Sequence, residues 1–421
     1  MSQYVGILGI LFMFAVAWLV SENRKAVPWK TVLIATLMQV FLGLLIAGLP
    51  ALGIKGPLSG FFSAANDAII ATLSFVDKGS GFVFGPLTQP EKIGDYIIAF
   101  KVLPSIIFFA SLMAVLYHFG IMQKIVNAMA WVMRRFLGIS GAESLSTAGN
   151  IFLGQTEAPL LVKPYVNSMS RSEIMCVMVG GFANVAGGVL AAYVGMLAGM
   201  IPDIAGHLLT VSVMSAPATI VFAKIMVPET ENRTSVADVS LNDKSIYTNG
   251  IDAAAHGALE GTQLAITVGG MLIAFIALVA LGNGALGWLS DTVGLSARMG
   301  ERLSLELLLG WIFSPFAWLL GVSSDHIQFA GQLLGKKLIL NEFVAYLDLA
   351  KNGADMDKRS ALIMSYALCG FANFGSIAIQ IGGIGGIAPS KKSELAALGL
   401  KAMFAGMFAS AMCGAVMGLL I

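Results

Sequence analysis

Long apolar runs separated by short polar connections organise this chain. Runs long enough for a helix to cross a bilayer, about 20 residues, cover 4–20, 31–50, 102–119, 174–200, 205–226, 262–289, 360–388 and 401–421. Two further stretches, 144–169 and 305–347, are apolar but interrupted by charge, glycine and proline. None of the runs alternates with period two as a barrel strand would, and a backbone in lipid must satisfy its own hydrogen bonds. The pattern therefore predicts an all-α polytopic membrane protein, with about eight transmembrane helices and two re-entrant helical hairpins.

The polar connections suggest an orientation. Arg24, Lys25 and Lys30 follow the first run and no basic residue precedes it. That polarity is wrong for a cleaved secretory signal and suits a first helix that starts outside and ends in the cytoplasm. After the third run, 121–137 is amphipathic and carries Lys124, Arg134 and Arg135, which predicts an interfacial helix on the cytoplasmic side. The polar segment 228–258 mixes Glu229, Glu231, Arg233, Asp238, Asp243 and Lys244 near neutrality and leaves orientation unchanged.

Composition narrows the function classes. Of 421 residues, 57% are hydrophobic and 12% charged, about half the charge of a soluble protein. This excludes both a water-soluble globule and intrinsic disorder. The net charge of +1 leaves no basic excess for nucleic acid. Cys176, Cys369 and Cys413 are odd in number, far apart and set in apolar segments, so they read as buried thiols rather than disulfides or zinc ligands. His118, His207, His256 and His326 stand in no metalloprotease or nucleophile motif, and His326 beside Asp325 is the one pair that suggests catalysis at all. An enzyme is not expected.

The most informative feature is an internal repeat. Residues 171–187 read RSEIMCVMVGGFANVAG and residues 359–376 read RSALIMSYALCGFANFGS. Both begin Arg-Ser, cross an apolar stretch and reach Gly-Phe-Ala-Asn, at 181–184 and 370–373. Upstream of each lies a glutamate in an apolar setting, Glu157 within GNIFLGQTEAPLLVKPY and Glu342 within GKKLILNEFVAY. Asn in mid-span competes for backbone hydrogen bonds, and Gly adds conformational entropy, so each motif marks a place where a helix can open. Discontinuous helices at matching positions of two inverted repeats point to a transporter's binding site. A kink used only for packing is the alternative for either motif alone.

A carboxylate deep in a bilayer costs about 2.5–3.5 kcal/mol on insertion scales and is usually functional; a structural ion pair is the bland alternative. Glu157, with Gly154, Gln155 and Thr156 before it and Pro159 after it, reads as the tip of a hairpin. Gly335, Lys336, Lys337 and Asn341 are expected to interrupt the second stretch, placing Glu342 near a facing tip. Gln155, Thr156, Glu157, Asn184, Glu342, Asn373 and Ser376 would give a cavity amides, hydroxyls and carboxylates, with no Arg or Lys adjoining those motifs. Such a lining suits a neutral, hydroxyl-rich solute better than an anion, and Phe371 could stack on a flat ring.

GQTEAPLLVKPY, NEFVAY and ALCGFANFGSIAIQIGG, in that order, resemble the concentrative nucleoside transporter family, and GNIF-G-Q-T-E is similar to its sodium-coupled members. The resemblance extends over roughly 20–415. The short N-terminus resembles the bacterial form, which implies a bacterial cytoplasmic (inner) membrane. By position, the resemblance implies that Gln155, Thr156 and Glu157 reach the nucleobase and that Val189 and Phe371 lie near it. It gives the ribose hydroxyls to Glu342, Asn373 and Ser376. Sodium, co-transported, would be held by Asn150, Leu153, Asn184 and Val185, several through backbone carbonyls; Asn184 departs from the Ser or Thr expected there. Asn150 favours sodium over the proton that some relatives use.

The resemblance further implies a homotrimer in which a scaffold supports a moving transport part. Residues 1–118 and 262–300 would be mainly scaffold. The first transport repeat would occupy 119–261, with hairpin 144–169 and broken helix 172–200. The second would occupy 301–421, with hairpin 305–347 and broken helix 360–388. The expected activity is sodium-driven uptake of nucleosides by an elevator-type mechanism, with pyrimidine nucleosides such as uridine, and also adenosine, as substrates. A proton-coupled symporter is the alternative, and a channel a more distant one.

Overall fold

The computed structural model describes residues 4–49, 53–89, 97–231 and 247–421; Arg233, Asp238, Asp243 and Lys244 lie outside the described residues. Every apolar run is helical. Before the first hairpin come α1 (Val5–Leu19), α2 (Trp29–Ala47), α3 (Ser59–Phe84), α4 (Leu103–His118) and α5 (Ile121–Leu137). The first hairpin starts with α6 (Gly141–Gly149), and α7 (Arg171–Ala183), α8 (Gly187–Leu197), α9 (Ile204–Met226) and α10 (Gly250–Thr292) follow it. The remainder is α11 (Leu305–Leu319), α12 (Ile327–Ile339), α13 (Glu342–Asn352), α14 (Lys358–Leu368), α15 (Phe374–Ile387) and α16 (Lys392–Leu420). Two residue pairs, Gly48–Leu49 and Ile54–Lys55, form a short antiparallel ribbon.

The amphipathic stretch becomes α5 between Gly120 and Gly138, both in the left-handed region that an L side chain disfavours, so the helix is bounded on each side. α3 has no counterpart among the predicted runs, because Asn66, Asp67, Asp77 and Lys78 interrupt its apolar residues. α10 extends well beyond its apolar run on the N-terminal side, where Asn249 caps it by accepting from the Ile251 and Asp252 amides.

Burial sorts the helices into an inner and an outer set. In α7–α8, α9 and the stretch containing α16, 89% of the most apolar window is buried inside the protein, against 11% in α3 and α10. The outer helices therefore show apolar faces, such as Ile266, Ile273, Leu281 and Trp288 of α10, to lipid or to other chains. α10 docks on α4 through Gly257 and Gly261, a small-xxx-small pair; an added Cβ would fall 2.7 Å from the Ala110 carbonyl oxygen and from Ile107 Cα respectively.

The inner set is the repeat. α5 to α9 are matched in order by α11, α12, α14, α15 and α16, with α13 standing where the first hairpin has only the 3-10 turns Ala158–Val162 and Val166–Ser168, and each Gly-Phe-Ala-Asn interrupts a helix. α7 stops at Ala183 and α8 starts at Gly187; α14 stops at Leu368 and α15 starts at Phe374. The second hairpin differs in detail from expectation. Gly335, Lys336 and Lys337 do not interrupt it: α12 runs unbroken to Ile339, and the chain turns at Leu340–Asn341. Lys336 is accommodated by Asp348 at 2.7 Å. α11 lies along α12, where Gly310 and Gly331 let the backbones close.

A buried ion pair ties the first hairpin down. Glu143 closes a capping box with Ser140 at the start of α6 and also accepts from Lys224 of α9, which reaches Ser172 Oγ at 3.0 Å. Both charged side chains are at most 1% exposed. The three cysteines are buried and free.

Candidate substrate and cation site

The local sequence dictates how each polar side chain is presented. Between α6 and Ala158 the chain is turn rather than helix, and a Cβ at Gly154 would push the Glu157 carboxylate out of its place. Gln155, Thr156 and Glu157 therefore project from one tip. Gln155 Nε2 donates to Ser376 Oγ at 3.1 Å, which joins the first tip to α15. Glu157 is exposed at the end of this tip and lines the cavity described below.

At the second tip Asn341 caps α13 by accepting the Val344 amide at 2.9 Å, which puts Glu342 in the first helical turn, where the helix dipole favours an anion. Its Oε1 accepts from Tyr193 OH at 2.8 Å and its Oε2 from Asn373 Nδ2 at 3.2 Å. Asn373 in turn caps α15, accepting the Ser376 amide at 2.9 Å. The asparagine that makes a poor helix interior is here the start of the second half-helix.

The two breaks touch. The Phe371 amide donates to the Asn184 carbonyl at 3.3 Å. Gly370, at φ +143°, allows this approach, since a Cβ would lie 2.6 Å from the Phe182 carbonyl oxygen. Where breaks and tips converge, they enclose a cavity that opens to solvent on one side. All eight predicted substrate residues, Gln155, Thr156, Glu157, Val189, Glu342, Phe371, Asn373 and Ser376, line it.

The predicted cation residues lie behind the first tip. The Gly187 amide donates to the Phe152 carbonyl at 3.0 Å, so the tip that carries Asn150 and Leu153 is docked on the break that carries Asn184 and Val185. Asn150 is fully buried; its Nδ2 donates to the Ser146 carbonyl at 3.1 Å while its Oδ1 has no donor. Asn184 Oδ1 accepts from Ser215 Oγ at 2.6 Å, and its Nδ2 has no acceptor. Turning that amide over would let Nδ2 donate to Ser215 and leave the side-chain oxygen uncommitted, so the departure from Ser or Thr keeps an oxygen available. Uncommitted buried oxygens suit a hard monovalent cation.

Several residues of the site escaped sequence reasoning. Leu264, Thr267, Val268 and Met271 of α10 wall the cavity, and a long apolar helix carries no mark of such a role. Tyr193 and Gln380 hold Glu342 and Gln155, the latter through a 3.3 Å bond from Gln380 Nε2 to Gln155 Oε1. Lys337, expected at a turn, is instead buried on the inner face of α12.

A sequence profile described as "Na+ dependent nucleoside transporter C-terminus" matches residues 207–418, its N-terminal counterpart matches 8–87, and a "Nucleoside recognition" gate profile matches 99–200. The chain belongs to the concentrative nucleoside transporter family. The nucleoside permease NupC of Helicobacter pylori is 40% identical over all of this chain and 98% of its own length. A Haemophilus influenzae protein described as "Uncharacterized transporter" is 44% identical with the same coverage. The solved structure of CNTnw in an inward-facing, substrate-bound state is 40% identical and superposes with a TM-score of 0.89, covering 100% of this chain and 98% of that one. This concentrative nucleoside transporter is thus a multi-pass membrane protein and not an enzyme. His207 packs on Tyr366, and the carboxylate facing His326 is Asp357 at 3.9 Å rather than the adjacent Asp325.

Proposed function

We propose that this concentrative nucleoside transporter is a sodium–nucleoside symporter of a bacterial inner membrane, with pyrimidine nucleosides such as uridine, and also adenosine, as substrates. The observation that carries the reading is the convergence of both hairpin tips and both helix breaks on one cavity whose polar groups are amides, hydroxyls and two carboxylates. Gln155, Thr156 and Glu157 take the edge of the base, donating and accepting in the plane of the ring. Val189 and Phe371 cover its faces. Glu342 accepts from ribose hydroxyls, with Asn373 and Ser376 beside it. No ligand charge needs neutralising in this arrangement, which selects a nucleoside over a nucleotide.

Coupling follows from the same geometry. A sodium ion held by Asn150, Leu153, Asn184 and Val185 would fasten the first tip to the first break, and that tip presents Gln155 to Glu157. Binding of either solute then favours the other by the same factor, typically about 5–150-fold. The outer segments, 1–118 and 262–300, form the scaffold, and their exposed apolar faces serve a homotrimer. The repeats at 119–261 and 301–421 form the part that moves as an elevator. Uridine uptake by reconstituted protein, competed with a panel of nucleosides, tests the reading. Sodium should be required and uridine monophosphate should not compete; uptake undiminished when choline replaces sodium would favour proton coupling instead.

A further inference from the structure

Asn184 sets a problem that a serine or threonine in its place would not. A hydroxyl meets a cation with its only oxygen, whereas a side-chain amide has an oxygen end and an NH2 end and must present the first. Asn184 stands at the break itself, in extended backbone directly after α7, and is 1% exposed. At that burial its nitrogen needs an acceptor.

Ser215 of α9 is the group within reach. Its hydroxyl is fully buried and lies 2.6 Å from the end of the Asn184 amide and 2.8 Å from the Ser212 carbonyl. A hydroxyl has a single proton to donate, and the Ser212 carbonyl can only accept. That proton therefore goes to Ser212, and toward Asn184 the Ser215 oxygen is an acceptor that only an NH2 end can answer. In this orientation the Ser212 carbonyl, the Ser215 hydroxyl and the Asn184 nitrogen are all satisfied. The opposite one leaves a pair of oxygens in contact with no proton between them, and Nδ2 without an acceptor. The side-chain oxygen of Asn184 is then the free end.

Asn150 is held by the same device: its Nδ2 donates to the Ser146 carbonyl at 3.1 Å, and its Oδ1 has no donor. α9 also stands close to that residue. A Cβ on Gly180 of α7 would lie 2.7 Å from Asn150 Nδ2 and 3.7 Å from Thr219 Cγ2, one turn beyond Ser215. We propose that Ser215 is a positioning residue of the sodium site, holding the Asn184 nitrogen so that the amide oxygen, and not the NH2 group, is left for the cation. The inference rests on the sodium-coupled reading above and explains how an asparagine serves at this position.

The test is a double-mutant cycle on the full chain in detergent. Sodium Kd is read from the sodium-dependent rise in unfolding temperature without uridine, and uridine Kd by calorimetry in saturating sodium. Ser215→Ala should weaken sodium binding roughly 3–10-fold, the contribution of one hydrogen bond, and leave uridine Kd in saturating sodium unchanged. An Asn184→Ser protein has no amide to orient, so adding Ser215→Ala to it should change sodium Kd by less than about twofold. An equal shift in both backgrounds is a general packing effect and overturns the assignment, as does unchanged sodium binding in Ser215→Ala alone. If a variant does not fold, a wild-type structure with sodium bound decides. Asn184 Oδ1 on the ion with Nδ2 on Ser215 upholds the assignment, and an ion met by the Asn184 backbone alone overturns it. A wild type that sodium does not stabilise would overturn the sodium-coupled reading itself, and this inference with it.

Discussion

Glu342→Gln separates binding from architecture. The carboxylate accepts two protein hydrogen bonds, from Tyr193 OH and Asn373 Nδ2. Asn373 cannot reverse its role, because its Oδ1 is committed to the Ser376 amide as the cap of α15. Tyr193 can, since a phenol both donates and accepts. A glutamine therefore fits with its oxygen toward Asn373 and its amide toward Tyr193, and the fold should keep its stability. What changes is the hydrogen bond to the ribose: charge-assisted bonds contribute about 1.5–3 kcal/mol and neutral ones about 0.5–1.5. The expected loss is about 1–2 kcal/mol, or roughly 5–30-fold in uridine Kd. Isothermal titration calorimetry on purified protein in sodium measures it, with thermal unfolding as the control. Glu342→Ala should behave differently, destabilising the free protein by about 1–3 kcal/mol for each partner left unsatisfied. A Glu342→Gln protein with wild-type uridine affinity would refute the assignment of the ribose to this carboxylate.

Three further outcomes follow from the packing. Lys224→Met leaves the Glu143 carboxylate buried without its cation and should lower stability by about 3–5 kcal/mol in a detergent unfolding assay, with Glu143→Gln added to it recovering part of the loss. Gly370→Ala places a Cβ against the Phe182 carbonyl at a backbone angle costing about 1–3 kcal/mol, so unfolding temperature and uptake should both fall; wild-type values would contradict the close contact of the two breaks. Glu22, outside the spanning helices, accepts from Arg171 and Lys401, whose charges hold its carboxyl down to about 2 from an ordinary 4.5. A depressed carboxyl contributes stability that is present above 4.5 and is lost as pH falls toward about 2, so Glu22→Gln should flatten the acid limb of stability over that window, with its deficit against wild type largest at neutral pH and vanishing toward pH 2.

Much of this arrangement was legible in the sequence because lipid leaves few options. An apolar run must be helical, so α1, α2, α4, α9 and α16 could be placed from hydropathy alone, and α5 from its charged face. The breaks were legible because Gly-Phe-Ala-Asn is both unfavourable in a helix and duplicated. α3 was not, since its charges thin the apolar pattern. Nor was the second turn: glycine and two lysines suggest an interruption, but Lys336 finds Asp348 and Lys337 finds the freed Ala367 carbonyl, so α12 continues to its asparagine cap. Partners distant in sequence decide such cases. For the same reason Tyr193, Gln380 and the α10 wall came only with the structure, since each owes its place to a neighbour on another helix.

The central claim is that one cavity holds the nucleoside, with the base at the first hairpin tip, the ribose at the second and sodium behind the first. A structure determined with uridine and sodium bound measures this directly. The account predicts the uracil edge within hydrogen-bond distance of Gln155 or Glu157, ribose hydroxyls on Glu342, and one cation beside Asn150 and Asn184. Uridine bound outside this cavity, or with its ribose at Glu157, would contradict it.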